Sequence, residues 1–483
     1  MTIVTRAFVV DKIASGWCYG GEKMMDPVEL NDAVEARFPG HLERVRRLVR
    51  QPSVSGTGEG MAEMVTLVED ELRALGATVE TTSTGGWPLV YGHLDQGRPR
   101  TLLVYGMYDV QPVRGETWSV PPFSGDVVDL PEVGPSVVSR GVYNSKGPLA
   151  GVLSALHTIV ALFGRLPVNV KFLVEGEEEL ASRSLPAYLA AHRGELACDG
   201  IYSPFYGENR RGTPVLKLGF KGVQFVELVC RGGAWGGPVK QGIHGGEAAW
   251  IANPAWRLVR TLGTLVDTLD RPAIPALNDG ATEPTPADEA LLATLATRFS
   301  PSVVLEQQQA KRFKYEDQLL RHYLFDAVVN LDGISSGHTG DGTKSMIPHE
   351  ARASLSVRLV PGMRLDAVRA AITRHVEEAG GGAVEVRFLE GYPPARAEAS
   401  APMVGALRDA FAAVAGVDAE VWPIHGGSAP FSVLGDALGV PMIFGGLGHG
   451  GRQHAPDEYA TLAGMKRLER SIIDFLFRYA ALP

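Results

Sequence analysis

Hydrophobic positions along the chain follow two rhythms in turn. Between Asp26 and Leu75 they recur at helical spacing, through Val28, Leu30, Val34, Phe38, Leu42, Val45, Leu48 and Val49. The pattern breaks at Gln51-Pro52-Ser53 and resumes as an amphipathic helix over Met61–Leu75. Ala77–Thr82, Pro88–Gly92 and Thr101–Gly106 then read as strands, separated by the turn-rich Ser83-Thr84-Gly85-Gly86 and Asp95-Gln96-Gly97. A strongly apolar helix over Leu149–Phe163 and a strand over Asn169–Val174 continue the alternation. This order predicts an α/β sheet with helices on both faces.

The texture changes after Gly212. Val215–Gly219 and Val223–Cys230 alternate as antiparallel strands do, Pro254–Leu269 reads as a helix, and 270–330 is polar and partly helical. Ala351–Leu359 is a strictly alternating strand, Leu365–Ala379 an amphipathic helix, and Ala383–Leu389 another strand. Strand pairs with two helices on one side predict an inserted α+β unit of ferredoxin-like type. From about Pro393 the α/β pattern returns and ends in a helix over Gly464–Ala480. The expected division is an N-terminal extension (1–25), a first α/β segment (26–215), the inserted unit (216–390) and a second α/β segment (391–483).

Bulk properties narrow the function only slightly. A chain of 483 residues exceeds one ordinary core, and 45% hydrophobic with 21% charged residues is the composition of a globular protein. The formal charge of −9, without a dense Lys/Arg run, gives no reason to expect a nucleic-acid or membrane partner. Cys18, Cys198 and Cys230 show no metal or redox spacing, so a reducing, cytoplasmic setting is expected. Apolar stretches near the N-terminus, such as Ala7–Val10, are too short for a signal segment or a membrane span. Met24 or Met25 could serve as an alternative start.

Several separated motifs carry more. Met107-Tyr108-Asp109 closes a strand, Tyr143-Asn144-Ser145-Lys146-Gly147 forms a turn, Glu178-Glu179 follows another strand, and His454-Ala455-Pro456-Asp457-Glu458 lies near the C-terminus. Together they resemble the metal-binding framework of the M20 metallopeptidases, the group of carnosinase-like dipeptidases, aminoacylases and carboxypeptidases. The resemblance implies a zinc-peptidase-like α/β catalytic domain, a ferredoxin-like lid and dimerisation domain, and five ligands for two zinc ions. Those ligands map onto Met107, Asn144, Glu179, Pro204 and His454, with Asp109 behind the first and Glu178 at the general base. Met107 is a soft, weak donor, and it also reads as an apolar strand-end residue filling the space. Asn144 cannot bridge two cations as a carboxylate does, and Pro204 has no side-chain donor. Glu179 and His454 are the residual ligands, two where a catalytic zinc ion usually has three from the protein. No cofactor is expected, with a weakly held single zinc ion as the alternative.

The substrate-facing motifs are better kept. Gly242-Ile243-His244-Gly245-Gly246 with Asn253-Pro254 resembles the family's lid segment, whose His stabilises the oxyanion in the partner subunit. The resemblance therefore implies a homodimer and gives His244 that role, although the spacing is one residue short; a plain surface-loop His is the other reading. Lys344-Ser345-Met346-Ile347-Pro348 and Val357-Arg358-Leu359-Val360-Pro361 match segments that hold the substrate carboxylate, a task suited to the planar fork of Arg358. A structural ion pair is the competing reading of Arg358. Gly426-Gly427-Ser428-Ala429-Pro430 matches another substrate-contacting turn, placing Gly427 and Ser428 there, with His425 where dipeptidase-like members carry Glu. Asn144 and Tyr143 complete the expected substrate wall. Tyr108, Tyr143, Tyr202 and Tyr206 stand beside the altered positions, as fillers of the vacated space or as core residues.

Three functions follow as expectations. The first is an M20-like enzyme acting on a small amide, aminoacyl or dipeptide-like substrate with a free carboxylate. It would use Glu178 as general acid/base without a two-zinc centre, in amide cleavage or formation or in a non-hydrolytic proton transfer, a repurposing that suits specialised metabolism. The second is a weakened single-metal dipeptidase. The third is a non-catalytic binding protein.

Overall fold

The computed structural model describes residues 18–19, 22–23, 27–209, 212–307, 310–311, 318–429 and 432–483. Of the N-terminal extension it describes only the short antiparallel pair Cys18–Tyr19 and Glu22–Lys23. Ala7–Val10 and Met24-Met25 lie outside the described residues, as does Pro430 of the glycine turn.

An eight-stranded sheet forms the base. Its order is Glu420–Trp422, Val215–Lys217, Met442–Gly445, Gly200–Pro204, Thr101–Met107, Asn169–Glu175, Leu89–Leu94 and Thr78–Thr82. The four strands from Met442–Gly445 to Asn169–Glu175 run parallel. Both faces are covered, which is why these strands read as near-continuous apolar runs. Leu102, Val104, Phe172 and Tyr202 point into one core with the helices Pro27–Arg50, Lys146–Phe163, Pro402–Ala415 and Leu462–Ala480. Leu103, Tyr105, Met107, Leu173 and Ile201 point the other way, against the helix Leu185–His192. Among the described residues one helix, Lys146–Phe163, is long and apolar enough to cross a membrane, but 72% of it is buried, with Leu149, Leu153, Leu156 and Ile159 in the first core.

The second sheet follows the order strand–helix–strand–strand–helix–strand. Gly219–Arg231, the helix Pro254–Leu262, Val328–Ser336, Glu350–Leu359, the helix Leu365–Gly380 and Val384–Tyr392 occur in that sequence. The sheet order is Val328–Ser336, Glu350–Leu359, Gly219–Arg231, Val384–Tyr392, all neighbours antiparallel, which is the ferredoxin-like arrangement. Val226, Leu228 and Cys230 alternate inward with Ala353, Leu355 and Val357 under the two helices.

The opposite face of this sheet carries a closed ring of six charges. Arg231 reaches Glu350 at 2.7 Å and Glu385 at 2.8 Å; Arg352 reaches Glu350 at 2.6 Å and Glu227 at 3.1 Å; Arg387 reaches Glu227 at 3.1 Å and Glu385 at 2.8 Å. Each cation thus has two anions and each anion two cations, across three strands.

Two elements depart from the sequence expectation. Val215–Lys217, expected with the antiparallel strands of the inserted unit, belongs to the eight-stranded sheet, because Leu216 is fully buried in its core. The helix expected to Leu269 ends at Leu262, where the Gly263 N–H bonds back to Thr261 and Val259. The polar stretch 270–330 holds the helices Pro286–Ala296, Pro301–Gln307 and Leu319–Phe325. Leu292, Leu295, Leu320, Leu324 and Phe325 pack there around the buried Ile424.

Asp288 ties this stretch down. It closes a capping box with Thr285 at the start of Pro286–Ala296 and accepts a two-pronged ion pair from Arg396 at 2.9 and 3.1 Å, with its own side chain 1% exposed. Asp288→Ala removes the cap and leaves Arg396 without its anion, so a loss of about 3 kcal/mol is expected. A urea unfolding midpoint unchanged from wild type would contradict it.

Candidate active site

The cleft lies at the carboxyl ends of the parallel strands, where open α/β sheets hold their ligands. Met107, Glu175 and Pro204 end three adjacent strands there. Met107 is 4% exposed and packs with Tyr105, Leu185, Phe205 and Ala429, so it fills space as an apolar residue does. Pro204 is buried beside Gly445.

Asp109 lies beneath this edge, 2% exposed, and accepts the backbone N–H groups of Glu178 at 3.3 Å and Glu179 at 3.0 Å. Its carboxylate thus holds the backbone of the glutamate turn. Burial, and then the charge of Glu179, raise its carboxyl to about 7. Glu178 is raised well above the carboxylate range by burial, then by Glu179 and Asp109.

Glu179 is the hub. Its two oxygens receive Gln111 Nε2 at 2.8 Å, Asn144 Nδ2 at 3.0 Å and His454 Nε2 at 2.9 Å. Asn144 Nδ2 also lies 3.0 Å from His454 Nε2. The hydrogen bond to Glu179 raises the His454 imidazole above its usual value. Arg452, His454 and Asp457 all adopt left-handed backbone (φ 60°, 58° and 57°), an arrangement non-glycine residues keep only where surrounding contacts fix it.

Those contacts come from a buried clamp. Arg140 is 1% exposed and donates to Glu458 at 3.1 Å and to both oxygens of Glu116 at 2.8 and 3.0 Å, with the ring of Trp118 stacked on its guanidinium. Glu458 in turn accepts the N–H groups of Tyr143 and Asn144, each at 2.9 Å. The peptide between Asn144 and Ser145 is cis. Tyr143 packs edge-on to Phe205 and stacks on Tyr206, and burial raises its phenol. Tyr108 donates to the Pro88 carbonyl at 2.7 Å. Tyr202 faces the helices beside Phe475 and not the cleft, because strand alternation turns it to that side.

The second sheet supplies the opposite wall. Arg358 and Tyr392 are the direct cross-strand partners of Val223, one on each side, so both rise from the same face. The Tyr392 phenol is pushed up to about 12 by burial and then by Glu178, with Arg358 opposing the rise. Sequence reading missed Tyr392 and Gln111, since neither belongs to a motif of ionisable groups; only the cross-strand register and the Glu179 bond reveal them. Ser428 donates to the Gly222 carbonyl at 2.9 Å on the adjoining strand, and Gly427 N–H reaches His425 Nδ1 at 3.1 Å. Burial, reinforced by Lys217, lowers His425 to about 3, so it stays neutral.

His244 and Ser345 are exposed side by side at a short antiparallel strand pair, where Ile243–His244 pairs with Met346–Ile347 and the Gly245 N–H bonds to the Ser345 carbonyl at 3.2 Å. His244 Nδ1 accepts the Gly246 N–H at 3.1 Å, and among the described residues it bonds neither to Glu178 nor to the Glu179 hub.

A sequence profile of Peptidase family M20/M25/M40 matches residues 103–478. The chain belongs to this family. It is 29% identical over 335 residues to the Beta-Ala-His dipeptidase of Mus musculus, covering 65% of this chain and 65% of that one. It is 26% identical over 453 residues to the Cys-Gly metallodipeptidase DUG1 of Candida albicans, covering 87% and 90%. In three dimensions it is similar to the M20 family metallo-carboxypeptidase Sso-CP2 of Sulfolobus solfataricus, with a TM-score of 0.84 and 28% identity over 92% of this chain and 99% of that one. The dipeptidase Dug1p of Saccharomyces cerevisiae shares the fold, with a TM-score of 0.78 at 21% identity, over 94% of this chain and 99% of that one. This M20 chain is therefore a dipeptidase-like family member with a catalytic α/β unit and a lid.

A metal pair does not fit the donor set that the sequence resemblance assigns to it. Those five positions, Met107, Asn144, Glu179, Pro204 and His454, hold a thioether, an amide, a carboxylate, a proline ring and an imidazole. Asn144 turns its NH₂, a donor, toward Glu179, whereas a bridging ligand must turn lone pairs. Among the described residues, groups of three or more His, Cys, Asp or Glu able to hold a metal ion are absent. Replacing Met107→His, Asn144→Asp and Pro204→Asp together should raise zinc affinity by at least tenfold in a competition titration. Unchanged affinity would mean that these three positions are not the matched ligands.

Proposed function

We propose that this M20 chain acts on a small amide, aminoacyl or dipeptide-like substrate with a free carboxylate, and that Glu178 is its general acid/base in place of two-zinc chemistry. The observation that carries this reading is the Asn144 amide, which donates to Glu179 at the position where a bridging carboxylate would be required. Glu178 directly precedes Glu179 in the same turn, and in this reading its carboxyl moves a proton between the attacking group and the nitrogen of the amide. Arg358 pairs with the substrate carboxylate and fixes which bond faces Glu178. The class of reaction is amide cleavage or formation, with proton-transfer rearrangement on the same carboxyl as a further member.

The second reading is a single-metal dipeptidase, favoured by the approach of His454 to Glu179 at 2.9 Å. Turnover of Cys-Gly and β-Ala-His, with metal content measured before and after chelation, separates the two. The first reading expects activity that survives chelation and falls by 10²–10⁴ in Glu178→Gln. Stoichiometric zinc whose removal abolishes turnover would establish the second.

We also propose that the working form is a homodimer joined through the lid. Val328–Ser336 is the outer strand of the lid sheet, and Leu331 and Ile334 on it are 48% and 51% exposed. Trp256 and Val259 on the helix Pro254–Leu262 add to this apolar surface at 62% and 42%. A second copy paired edge to edge would cover these side chains and carry His244 toward a neighbouring cleft. Sedimentation equilibrium should find a dimer for wild type and a monomer for Leu331→Lys with Ile334→Lys; a wild-type monomer at micromolar concentration would exclude the assembly.

A further inference from the structure

Behind the wall formed by Phe220 and His425 lies a small cavity of about 110 Å³, apart from the Glu179 hub. Its lining surface is about equally polar and apolar, with Phe220, Met442 and Phe444 on the apolar side, and three charged residues border it: Lys217, Arg396 and Asp436. Arg396 is already neutralised by Asp288. Asp436 is exposed at the rim. Lys217 differs from both. Its amine lies 5.9 Å from the centre of the Phe444 ring, and among the described residues it has neither a carboxylate within ion-pair distance nor a hydrogen-bond acceptor.

A buried ammonium without an anion is costly, and a chain that keeps one there gains most when an anion arrives. The ring face of Phe444 offsets only part of this. Burial holds the amine at about 8, so most of it is still charged at neutral pH. The volume restricts the anion to a few heavy atoms, and the apolar side calls for a hydrocarbon tail.

We infer that this cavity is a binding site for a short aliphatic monocarboxylate, whose carboxylate pairs with Lys217 and whose tail lies against Phe220, Met442 and Phe444. The site is separate from the substrate clamp at Arg358, although Phe220 packs edge-on against His425 at 5.5 Å and so gives it a common wall with the cleft. A bound acid would thus lie directly behind a residue of the substrate wall.

Propionate titrated into the full-length protein at constant ionic strength, followed by saturation-transfer NMR, tests this. Wild type and Arg358→Ala should bind propionate at one saturable site with equal affinity, and Lys217→Met should bind at least tenfold more weakly. Lys217→Met exchanges an unpaired cation for an apolar side chain of similar length, so it should unfold at or above the wild-type temperature. Weak binding in that variant then reports the lost charge and not a lost fold. Val440→Phe, which narrows the cavity and keeps Lys217, should weaken binding as well. Equal binding by Lys217→Met, loss of binding in Arg358→Ala alone, or no saturable binding to wild type would each overturn the assignment. None of these outcomes depends on the role proposed for Glu178.

Discussion

A carboxylate that accepts three hydrogen bonds is the constraint on which the cleft depends. Glu179 draws together Gln111 from the loop after the first parallel strand, Asn144 from the turn before the apolar helix, and His454 from the C-terminal loop. Three distant stretches of chain therefore meet at one side chain, and each brings a neutral donor or an imidazole. In a two-metal enzyme the same convergence would be held by cations. Here the polar atoms satisfy one another, and the backbone is fixed from behind by Asp109 under the glutamate turn and by Arg140 and Glu458 under Asn144. Positioning of this kind leaves the Glu178 carboxyl, beside Glu179 in the turn, without a side-chain hydrogen bond among the described residues, which suits the proton exchange proposed for it.

The layered fold was legible because its signals are periodic. Thr101–Met107 and Asn169–Glu175 are apolar on both faces, and the helix Leu462–Ala480 keeps its stripe through Leu468, Ile472 and Phe475. Val215–Lys217 was misread because three residues are too few to show a period, and its membership is decided by Leu216 reaching a core built from remote strands. The helix after Pro254 was read too long because its apolar spacing continues past the point where the backbone turns at Gly263.

The site was legible only as far as its residues belong to motifs. Asp109, Asn144, Glu178, Glu179 and His454 do, and they converge. Gln111 and Tyr392 carry no ionisable signature at neutral pH, and they enter the site through tertiary geometry: a bond to Glu179 in one case, the row through Val223 in the other. Lys217 was invisible for a related reason. A single lysine in a short strand has no pattern, and its lack of an anion is a property of the folded surroundings. His244 belongs to a motif, yet within one chain it stays exposed beside Ser345 at a short strand pair.

The ring of three arginines and three glutamates on the lid sheet has a mechanical meaning. A two-residue slip of Glu350–Leu359 in one direction would set Arg352 opposite Arg231, and a slip of Val384–Tyr392 in one direction would set Glu385 opposite Glu227, so the ring disfavours those registers of Gly219–Arg231 against its neighbours. The same three strands carry Arg358 and Tyr392 at their other end. Their shared pairing with Val223 therefore holds the Arg358 guanidinium and the Tyr392 phenol on one rigid plate, with a fixed spacing along that wall of the cleft.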